Sequence, residues 1–385
     1  MTAVQEPTRR TAGLSVTADD RWVPSARARL APALRNDDRF VAWAATTAIT
    51  MLALFLRLWK LGRPHAFLFD ETYYAKDAWS LWHHGYVTGY VDGANDKILA
   101  GHLDGLWTSS PSMVVHPEVG KWLIGLGEEI FGMDPFGWRV ASAVAGALMV
   151  GVMIRLARRL TGSTLLGCVA GLLLCFDGLQ LVLSRLALLD IFMAFFLLCA
   201  VACLVADRDW GRLRLARLVP SDLRTTASDW GPVRAMLWRP WRLGAGVFFG
   251  LACATKWNAV YPLAAFGVLV WMWDAGARRV IGVRMPRLRS FVVDALPAFG
   301  YLVLVALVVY LASWTGWLLH AGVYERSLSD TQYGPYWGSY LQHATRGFFP
   351  ELWRSLRSLW HYHHDVYVFH TQFLDDAHHT YQSKP

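Results

Sequence analysis

Residues 40–59 read FVAWAATTAITMLALFLRLW, a predominantly apolar run whose only charged residue is Arg57. A helix that crosses a bilayer needs about 20 such residues, so this stretch predicts a transmembrane helix and a membrane-embedded fold. Shortly beyond it, residues 67–77 read FLFDETYYAKD and contain two adjacent carboxylates, Asp70 and Glu71. We expect this pair near the membrane surface, where lipid packing gives no reason for two acids.

The composition supports a membrane protein. Of 385 residues, 55% are hydrophobic and 17% are charged, and 20 are Trp, proportions that are unusual for a soluble domain. We therefore predict an all-α polytopic membrane protein, with a transmembrane core at 40–318, a long outer loop at 60–137 within it, and an outer segment at 319–385. The predicted spans are the apolar segments 40–59, 138–156, 163–179, 188–206, 243–256, 258–274 and 291–317.

The net charge of +8 is distributed unevenly along the chain. Arginines fill the stretch 207–242, and further basic residues precede residue 40. The positive-inside rule makes both regions cytoplasmic and places the loop 60–137 outside the cell (plasma) membrane. The basic excess is thus mainly a topology signal that also meets anionic inner-leaflet lipid, and we expect no nucleic-acid partner.

The N-terminal residues 1–39 are rich in Arg, Ala, Thr and Pro, which predicts a disordered cytoplasmic tail. The apolar run that follows is long for a signal-peptide core, so we predict that it is retained as a span. All five cysteines fall within predicted spans, which excludes a disulfide framework in the outer loops.

Two amphipathic helices are predicted in the outer loop. The first begins at Asp70 and stops at Gly85. The second begins at Pro117, and its apolar stripe lies opposite Lys121 and Glu128. We expect both helices to lie in the interface, with one face in lipid and the other toward water or a cavity.

The segment after residue 318 combines a third amphipathic helix, predicted from Glu351, with many histidines. These invite a metal-site interpretation, but histidines in wet interfacial loops are commonly unliganded. We therefore expect no cofactor to be required, with a divalent cation as the alternative. The clustered residues are His361, His363, His364, His378 and His379.

Five short motifs occur in a fixed order along the chain. They are Asp70-Glu71, HPEVGK at 116–121, LSRLALLD at 183–190, GLACATKWN at 250–258, and a stretch from Phe369-His370 to HTYQSKP at 379–385. Together they resemble the motifs of the protein O-mannosyltransferase family in its actinobacterial form. Two departures stand out: the family's His-Pro-Pro is His116-Pro117-Glu118 here, and the last motif normally continues into further spans, so we interpret the chain as C-terminally truncated.

The resemblance implies a GT-C glycosyltransferase that moves mannose from polyprenyl-phosphate mannose to Ser or Thr hydroxyls of secreted proteins, at the outer membrane face. A hydroxyl nucleophile needs a base, and we assign that role to Asp70, with Glu71 as the second catalytic candidate. The phosphate leaving group needs neutralising cations rather than an acid, and a single base fits direct displacement with inversion. The predicted substrate-binding residues are His116, Lys121, Arg185 and Asp190. The implied partners are the lipid donor, unfolded acceptor proteins, membrane lipid and the export translocon.

Several of these residues have a purely structural alternative. Asp70 can be a helix N-cap, although Tyr73 occupies the position of a capping-box partner. Glu71 can simply favour a helix N-terminus, His116 can mark a helix start before proline, and Lys121 can be a solvated residue.

Arg185 and Asp190 lie at a membrane edge, where ionisable groups pair or serve a site, so they can also pair with each other. We interpret Lys256 as the turn between the fifth and sixth apolar segments. Two other functions remain open: a related transferase that uses another polyprenyl-phosphate sugar or a lipid acceptor, and a transporter. A transporter would carry mid-membrane charges and often inverted repeats, whereas the charges here gather at the outer edge and no repeat is visible.

Overall fold

The computed structural model describes residues 29–30, 38–112, 115–218, 230–328 and 347–373. These residues are mostly helical, as predicted. The helices are α1 Arg39–Leu58, α2 Glu71–His84, α3 Ala94–Leu99, α4 Val119–Phe131, α5 Pro135–Thr161, α6 Thr164–Phe176, α7 Gly178–Leu183, α8 Leu189–Leu218, α9 Pro240–Cys253, α10 Trp257–Val280, α11 Pro286–Ser313, α12 Thr315–Leu319, α13 Ala321–Leu328 and α14 Phe348–Val368.

The outer loop also contains a small β-hairpin that the sequence pattern did not predict. Strands β1 Thr88–Tyr90 and β2 Trp107–Pro111 pair antiparallel, with Thr88 opposite Pro111 and Tyr90 opposite Trp107. With three and five residues, the strands are too short for a period-two pattern to be recognised.

Each of the seven predicted apolar segments corresponds to a helix. In the described part of the chain, five helices are long and apolar enough to cross a membrane: α1, α5, α8, α10 and α11. Helices α6 and α9 are shorter, with 13 and 14 residues. Helix α8 continues beyond the apolar segment predicted to end at residue 206, because Asp207 is held in the protein by Arg239, at 2.6 Å, and Arg242, at 2.9 Å.

Helix α5 lies at the centre of the helical packing and contacts α1, α4, α6 and α8. Small residues permit some of the closest approaches. A Cβ added at Gly146 would lie 2.3 Å from Cβ of Ser184. A Cβ added at Gly246 of α9 would lie 1.9 Å from the carbonyl oxygen of Tyr301 in α11, so these two helices are in close contact.

Helix α2 begins and ends close to its predicted positions, and α4 begins two residues after the predicted start at Pro117. Gly85 ends α2 in the left-handed conformation, at φ +76°. The prediction that Lys121 and Glu128 face water or a cavity is wrong, because this side of α4 packs on protein and both residues are 1% exposed. Close packing on α2 causes the difference: a Cβ at Gly125 would lie 2.1 Å from the Trp82 indole.

Helices α12, α13 and α14 form an aromatic layer against the end of α2. Trp314, Trp317, Tyr324 and Tyr362 are its buried rings. The helix predicted from Glu351 is confirmed as α14. Most of the N-terminal tail 1–39, together with His378, His379 and the last predicted motif at 379–385, lies outside the described residues.

Candidate active site

Glu71 occupies the centre of a buried ion pair. Its side chain is fully buried. Oε1 accepts hydrogen bonds from Nε of Arg139 at 2.7 Å and from the backbone N–H of Ala187 at 2.9 Å. Oε2 accepts from Nη2 of Arg139 at 2.7 Å and from the N–H of Leu68 at 3.0 Å. This carboxylate therefore ties the start of α2 to α5 and to the turn before α8.

Arg139 uses its remaining donors to fix the connection between α1 and α2. Nη1 donates to the carbonyls of Leu61, at 3.2 Å, and Pro64, at 3.1 Å, while Nη2 donates to Ala66 at 2.8 Å. A buried guanidinium whose donors are all satisfied has no spare hydrogen for a ligand. Arg139 and Glu71 together thus form a rigid support under the neighbouring Asp70.

Asp70 lies at the N-cap position of α2 but does not cap it. Its side chain accepts no hydrogen bond from the first backbone N–H groups of the helix, and the residue is exposed. Oδ2 lies 3.4 Å from the Tyr74 hydroxyl. Asp70 therefore occupies the N-cap position, as the structural alternative predicted, but it does not make the capping hydrogen bond. Its carboxylate remains accessible.

Tyr74 connects Asp70 to other acids. Burial raises the pKa of Tyr74 well above its usual value, and the charges of Asp70, Asp190 and Asp77 raise it further. These carboxylates must lie near the phenol to have that effect. The hydrogen bond from the N–H of Ala187 to Glu71 likewise joins the motifs at 70–71 and 183–190.

His116 lies beside the same tyrosine. Its ring centroid is 6.1 Å from that of Tyr74 and 6.2 Å from that of His370. Burial, with a further contribution from the nearby charges of Lys121, Lys256 and His370, lowers the pKa of His116 to about 3. His116 is consequently neutral near pH 7 and can exchange hydrogen bonds, but it cannot supply a positive charge.

Asp190 pairs with Lys256, whose Nζ lies 2.8 Å from Oδ1 and 3.0 Å from Oδ2. Both side chains are partly exposed, so the pair lies at the surface of the site. Lys256 does lie in the turn between α9 and α10, as predicted. Its sequence neighbours, all apolar or uncharged, gave no indication of this partner.

Arg185 does not pair with Asp190, so the alternative in which these two residues neutralise each other is wrong. Its Nη1 donates to the carbonyls of Leu56, at 2.8 Å, and Arg57, at 3.1 Å. These carbonyls belong to the last turn of α1, where a helix end favours a cation. Arg185 is thereby anchored to the first span while remaining half-buried.

Lys121 is a buried partner of Asp77. Its Nζ lies 2.8 Å from Oδ2 of Asp77, and the two side chains are 2% and 10% exposed. The alternative of a solvated lysine is therefore wrong. Its assignment to the substrate stays a prediction, since in this structure the ammonium binds a carboxylate one helical turn beyond Tyr74.

Aromatic rings from α14 border the site. The Trp257 indole stacks on His363 at 5.0 Å and donates to the Tyr310 hydroxyl at 2.8 Å. The π-helical turn that follows α14 brings His370 within 6.5 Å of the same indole. The outer segment thus contributes directly to the surroundings of His116.

Three participants were missed from the sequence: Arg139, Asp77 and Lys256. An ionisable residue inside or at the edge of an apolar segment is the signal that could have identified Arg139 and Lys256. Asp77 follows Lys76 in the sequence, and this adjacent pair of opposite charges gives no signal of a buried partner on another helix. Within the described residues, no group of three or more His, Cys, Asp or Glu side chains could hold a metal ion.

Comparison with known proteins agrees with the motifs. Residues 47–315 match the family model described as dolichyl-phosphate-mannose-protein mannosyltransferase. The polyprenol-phosphate-mannose–protein mannosyltransferase of Mycolicibacterium smegmatis strain MKD8 is 40% identical over 353 residues, which cover 90% of this chain and 62% of the relative. The protein of the same name from Mycobacterium tuberculosis strain H37Rv is 37% identical, with the same coverage.

The fold is shared with a solved structure. A chain of the S. cerevisiae protein O-mannosyltransferase Pmt1-Pmt2 complex bound to the sugar donor superimposes with a TM-score of 0.53, at 17% identity, over 78% of this chain and 37% of the yeast chain. The GT-C fold class predicted from the motifs is therefore confirmed. This chain spans 62% of the length of the bacterial relatives described above. By the match over residues 47–315, the protein belongs to the dolichyl-phosphate-mannose-protein mannosyltransferase family.

Proposed function

We propose that this protein transfers mannose from polyprenyl-phosphate mannose to a Ser or Thr hydroxyl of a secreted polypeptide. The single observation that carries the proposal is the accessible, uncapped carboxylate of Asp70 beside a cluster of polar side chains from four of the family motifs. The bacterial relatives are named for this donor and this class of acceptor.

In the proposed reaction, the acceptor oxygen attacks the anomeric carbon of mannose while Asp70 takes the hydroxyl proton. The new carbon–oxygen bond forms as the bond between the anomeric carbon and the phosphate oxygen breaks, and polyprenyl phosphate leaves with the electron pair. Attack opposite the leaving group inverts the anomeric configuration. The phosphate is already a stable anion, so the scheme needs no general acid and no metal ion.

The cations nearest the membrane side of the site would meet the phosphate charge. We assign this role first to Arg185, which is anchored through one nitrogen and half-buried, and to Lys256, which is partly exposed beside Asp190. While Lys121 is paired with Asp77, it would influence the phosphate only indirectly. It could contact the phosphate itself only if that ion pair opened. His116, being neutral, would offer hydrogen bonds to the sugar or phosphate.

Glu71 takes a positioning role in this scheme rather than a chemical one. All four of its hydrogen bonds hold protein groups, so it has little capacity left to take a proton from a substrate. Its ion pair with Arg139 fixes the start of α2 and thereby the direction of the Asp70 side chain.

The orientation of the site follows from the charge distribution. Arginines cluster in the segment 207–242, and the positive-inside rule makes that segment cytoplasmic. The active site would then face the outside of the plasma membrane, where an unfolded polypeptide leaving the export translocon can reach it.

A reconstituted transfer assay tests the proposal. The full-length protein in lipid nanodiscs should transfer labelled mannose from polyprenyl-phosphate mannose to a Ser/Thr peptide, and not to the same peptide with Ala at those positions. Polyprenyl-phosphate glucose and a mannosyl nucleotide serve as donor controls. Preference for another lipid-linked sugar, or transfer to lipid alone, would contradict the proposal.

A further inference from the structure

A polar pocket of about 340 Å³ lies beside α2, outside the cluster around Tyr74. Pockets that bind small ligands or side chains begin at about this size. Helix α2 contributes Lys76 to its wall, β1 contributes Tyr90, and the β1–α3 turn and α3 contribute the rest. The lining residues are Lys76, Tyr90, Val91, Asp92, Gly93, Ala94, Asn95 and Asp96.

Lys76 is the cation of this pocket. Its Nζ donates to Oδ1 of Asn95 at 2.7 Å and lies 3.6 Å from the centroid of the Tyr90 ring. Asn95 is itself fixed, since its Nδ2 donates to the Thr72 hydroxyl at 2.8 Å. An ammonium has three hydrogens to donate. One Lys76 hydrogen is donated to Asn95, and a second points toward the face of the Tyr90 ring. Neither contact uses the third hydrogen, and because Lys76 is only 4% exposed, a ligand could meet it only from within the pocket.

The pocket is connected to Asp70 along α2. Residues 70, 73 and 76 are spaced i, i+3 and i+6, so consecutive members are neighbours on an inclined ridge that turns by about 120° around α2 from the first to the last. Tyr73, in the middle of this ridge, is 55% exposed. Its phenol also lies close enough to Tyr90 to contribute to the raised pKa of that residue, which burial and Asp77 raise to about 12. Asp70, Tyr73 and the pocket, which Lys76 lines although it is only 4% exposed, therefore form one track along α2.

We propose that this track binds the acceptor polypeptide, with the reacting hydroxyl at Asp70, the next residues over Tyr73, and a flanking residue in the pocket, where Lys76 donates to a peptide carbonyl. The inference rests on the proposed function. From residue 70 to residue 76 the helix rises about 9 Å, which an extended chain covers in about three residues. The pocket thus receives the residue two or three positions from the modified Ser or Thr.

The rim of the pocket predicts a charge preference. Asp92 and Asp96 are both exposed at its edge. Acidic acceptor residues two or three positions from the hydroxyl would meet these carboxylates before they reached Lys76. Neutral or basic flanking residues are therefore expected to be preferred over acidic ones.

Lys76→Met tests the track, because methionine keeps the length of the side chain and removes its charge and donors. In the full-length protein, we expect the KM for a neutral seven-residue peptide with a central Thr to rise about tenfold or more, while the KM for the lipid donor stays within twofold. Lys97→Met is the matched control, since Lys97 is exposed on α3, which borders the pocket, but does not itself line the pocket. An unchanged peptide KM in Lys76→Met would overturn the inference.

Two further measurements keep the inference testable if Lys76→Met folds poorly or if transfer is absent. Tyr73→Ala removes an exposed ring, and we expect it to weaken binding of the same seven-residue peptide. Binding is measured by fluorescence anisotropy of a labelled peptide in the absence of the lipid donor. One peptide that lacks the residues before the Thr and one that lacks the residues after it should both bind. Lys76→Met should weaken binding of only one of the two, the peptide that keeps the residues on the pocket side. Equal effects on both shortened peptides, or unchanged binding by Tyr73→Ala, would contradict the track. If the unmodified protein transfers no mannose but its variants still show these changes in peptide binding, the proposed reaction is contradicted and the peptide track is not.

Discussion

At the scale of single residues, the two adjacent acids at the start of α2 have opposite surroundings. Consecutive positions of a helix point about 100° apart, so Glu71 enters the core beneath the helix while Asp70 stays accessible. The sequence could predict that the pair matters, because two acids beside a span need a reason. It could not predict Arg139 as the partner of Glu71, because 68 residues separate them and only the packing of α5 brings them together.

Glu71→Gln is expected to destabilise the protein strongly. The substitution leaves the buried guanidinium of Arg139 without its counter-charge, and breaking such a pair costs about 3–5 kcal/mol. The control is Glu129→Gln, which disturbs only the partly exposed contact with His83 at 3.4 Å and should change stability by at most about 1 kcal/mol. Thermal unfolding in detergent measures both, and equal Tm values for the two variants would contradict the buried role of Glu71.

Glu118→Gln should change the pH dependence of stability. Burial raises the pKa of Glu118 from 4.5 to about 7, although the charge of Lys121 acts in the opposite direction. An acid whose folded pKa is raised contributes most stability below its unfolded pKa, and that contribution is lost as the pH rises through the folded value. We expect the Gln variant to melt above the parent at pH 8 and at the same temperature at pH 5. A difference that does not depend on pH would show that Glu118 is not buried in this way.

At the scale of the elements, helix periodicity predicted where α2 and α4 lie but not how they face each other. The apolar stripe of α4 correctly indicated one exposed side. The opposite side looked polar because it carries Lys121 and Glu128, yet it is packed on α2, where Asp77 partners the lysine. A pattern within one helix cannot reveal that a second helix supplies the counter-charge. Gly125 was the available sign of close packing on α2, and Gly127 marks a separate close approach to Gly137 of α5.

Gly125→Ala tests this packing. The added Cβ would lie 2.1 Å from the Trp82 ring and 3.0 Å from the backbone carbonyl of Ala78, so α2 and α4 must separate, at a cost of about 1–3 kcal/mol. Gly276→Ala is the matched control, because a Cβ there meets nothing within 4 Å and alanine favours the helix. We expect the first variant to lower Tm and the second to leave it unchanged or raise it. A Tm for Gly125→Ala at or above that of the parent would contradict the close contact.

At the scale of the whole molecule, the apolar segments and the family motifs predicted the fold class, because both depend on local sequence. The site was predictable as a set of motifs, but its ion pairs were not, since each joins residues far apart in the chain. Lys256 illustrates this: its turn was predicted, while its partner Asp190 lies 66 residues away on another helix.

The proposed orientation can be measured by cysteine labelling. Asp104→Cys lies on the exposed outer loop, and Arg284→Cys lies in the exposed connection between α10 and α11. A membrane-impermeant maleimide should label the first in intact cells and the second only after permeabilisation, with the unmodified protein as the background control. Labelling of both residues in intact cells would contradict the proposed topology.

The central claim is that Asp70 is the base, and Asp70→Asn tests it most directly. Asparagine keeps the size of the side chain and can still serve as an N-cap, so a purely capping residue would tolerate it. In full-length protein with matched expression and Tm, we predict that mannosyl transfer falls by about 10²- to 10⁴-fold while binding of the lipid donor is retained. Near-normal turnover by the Asn variant would contradict the assignment of Asp70 as base.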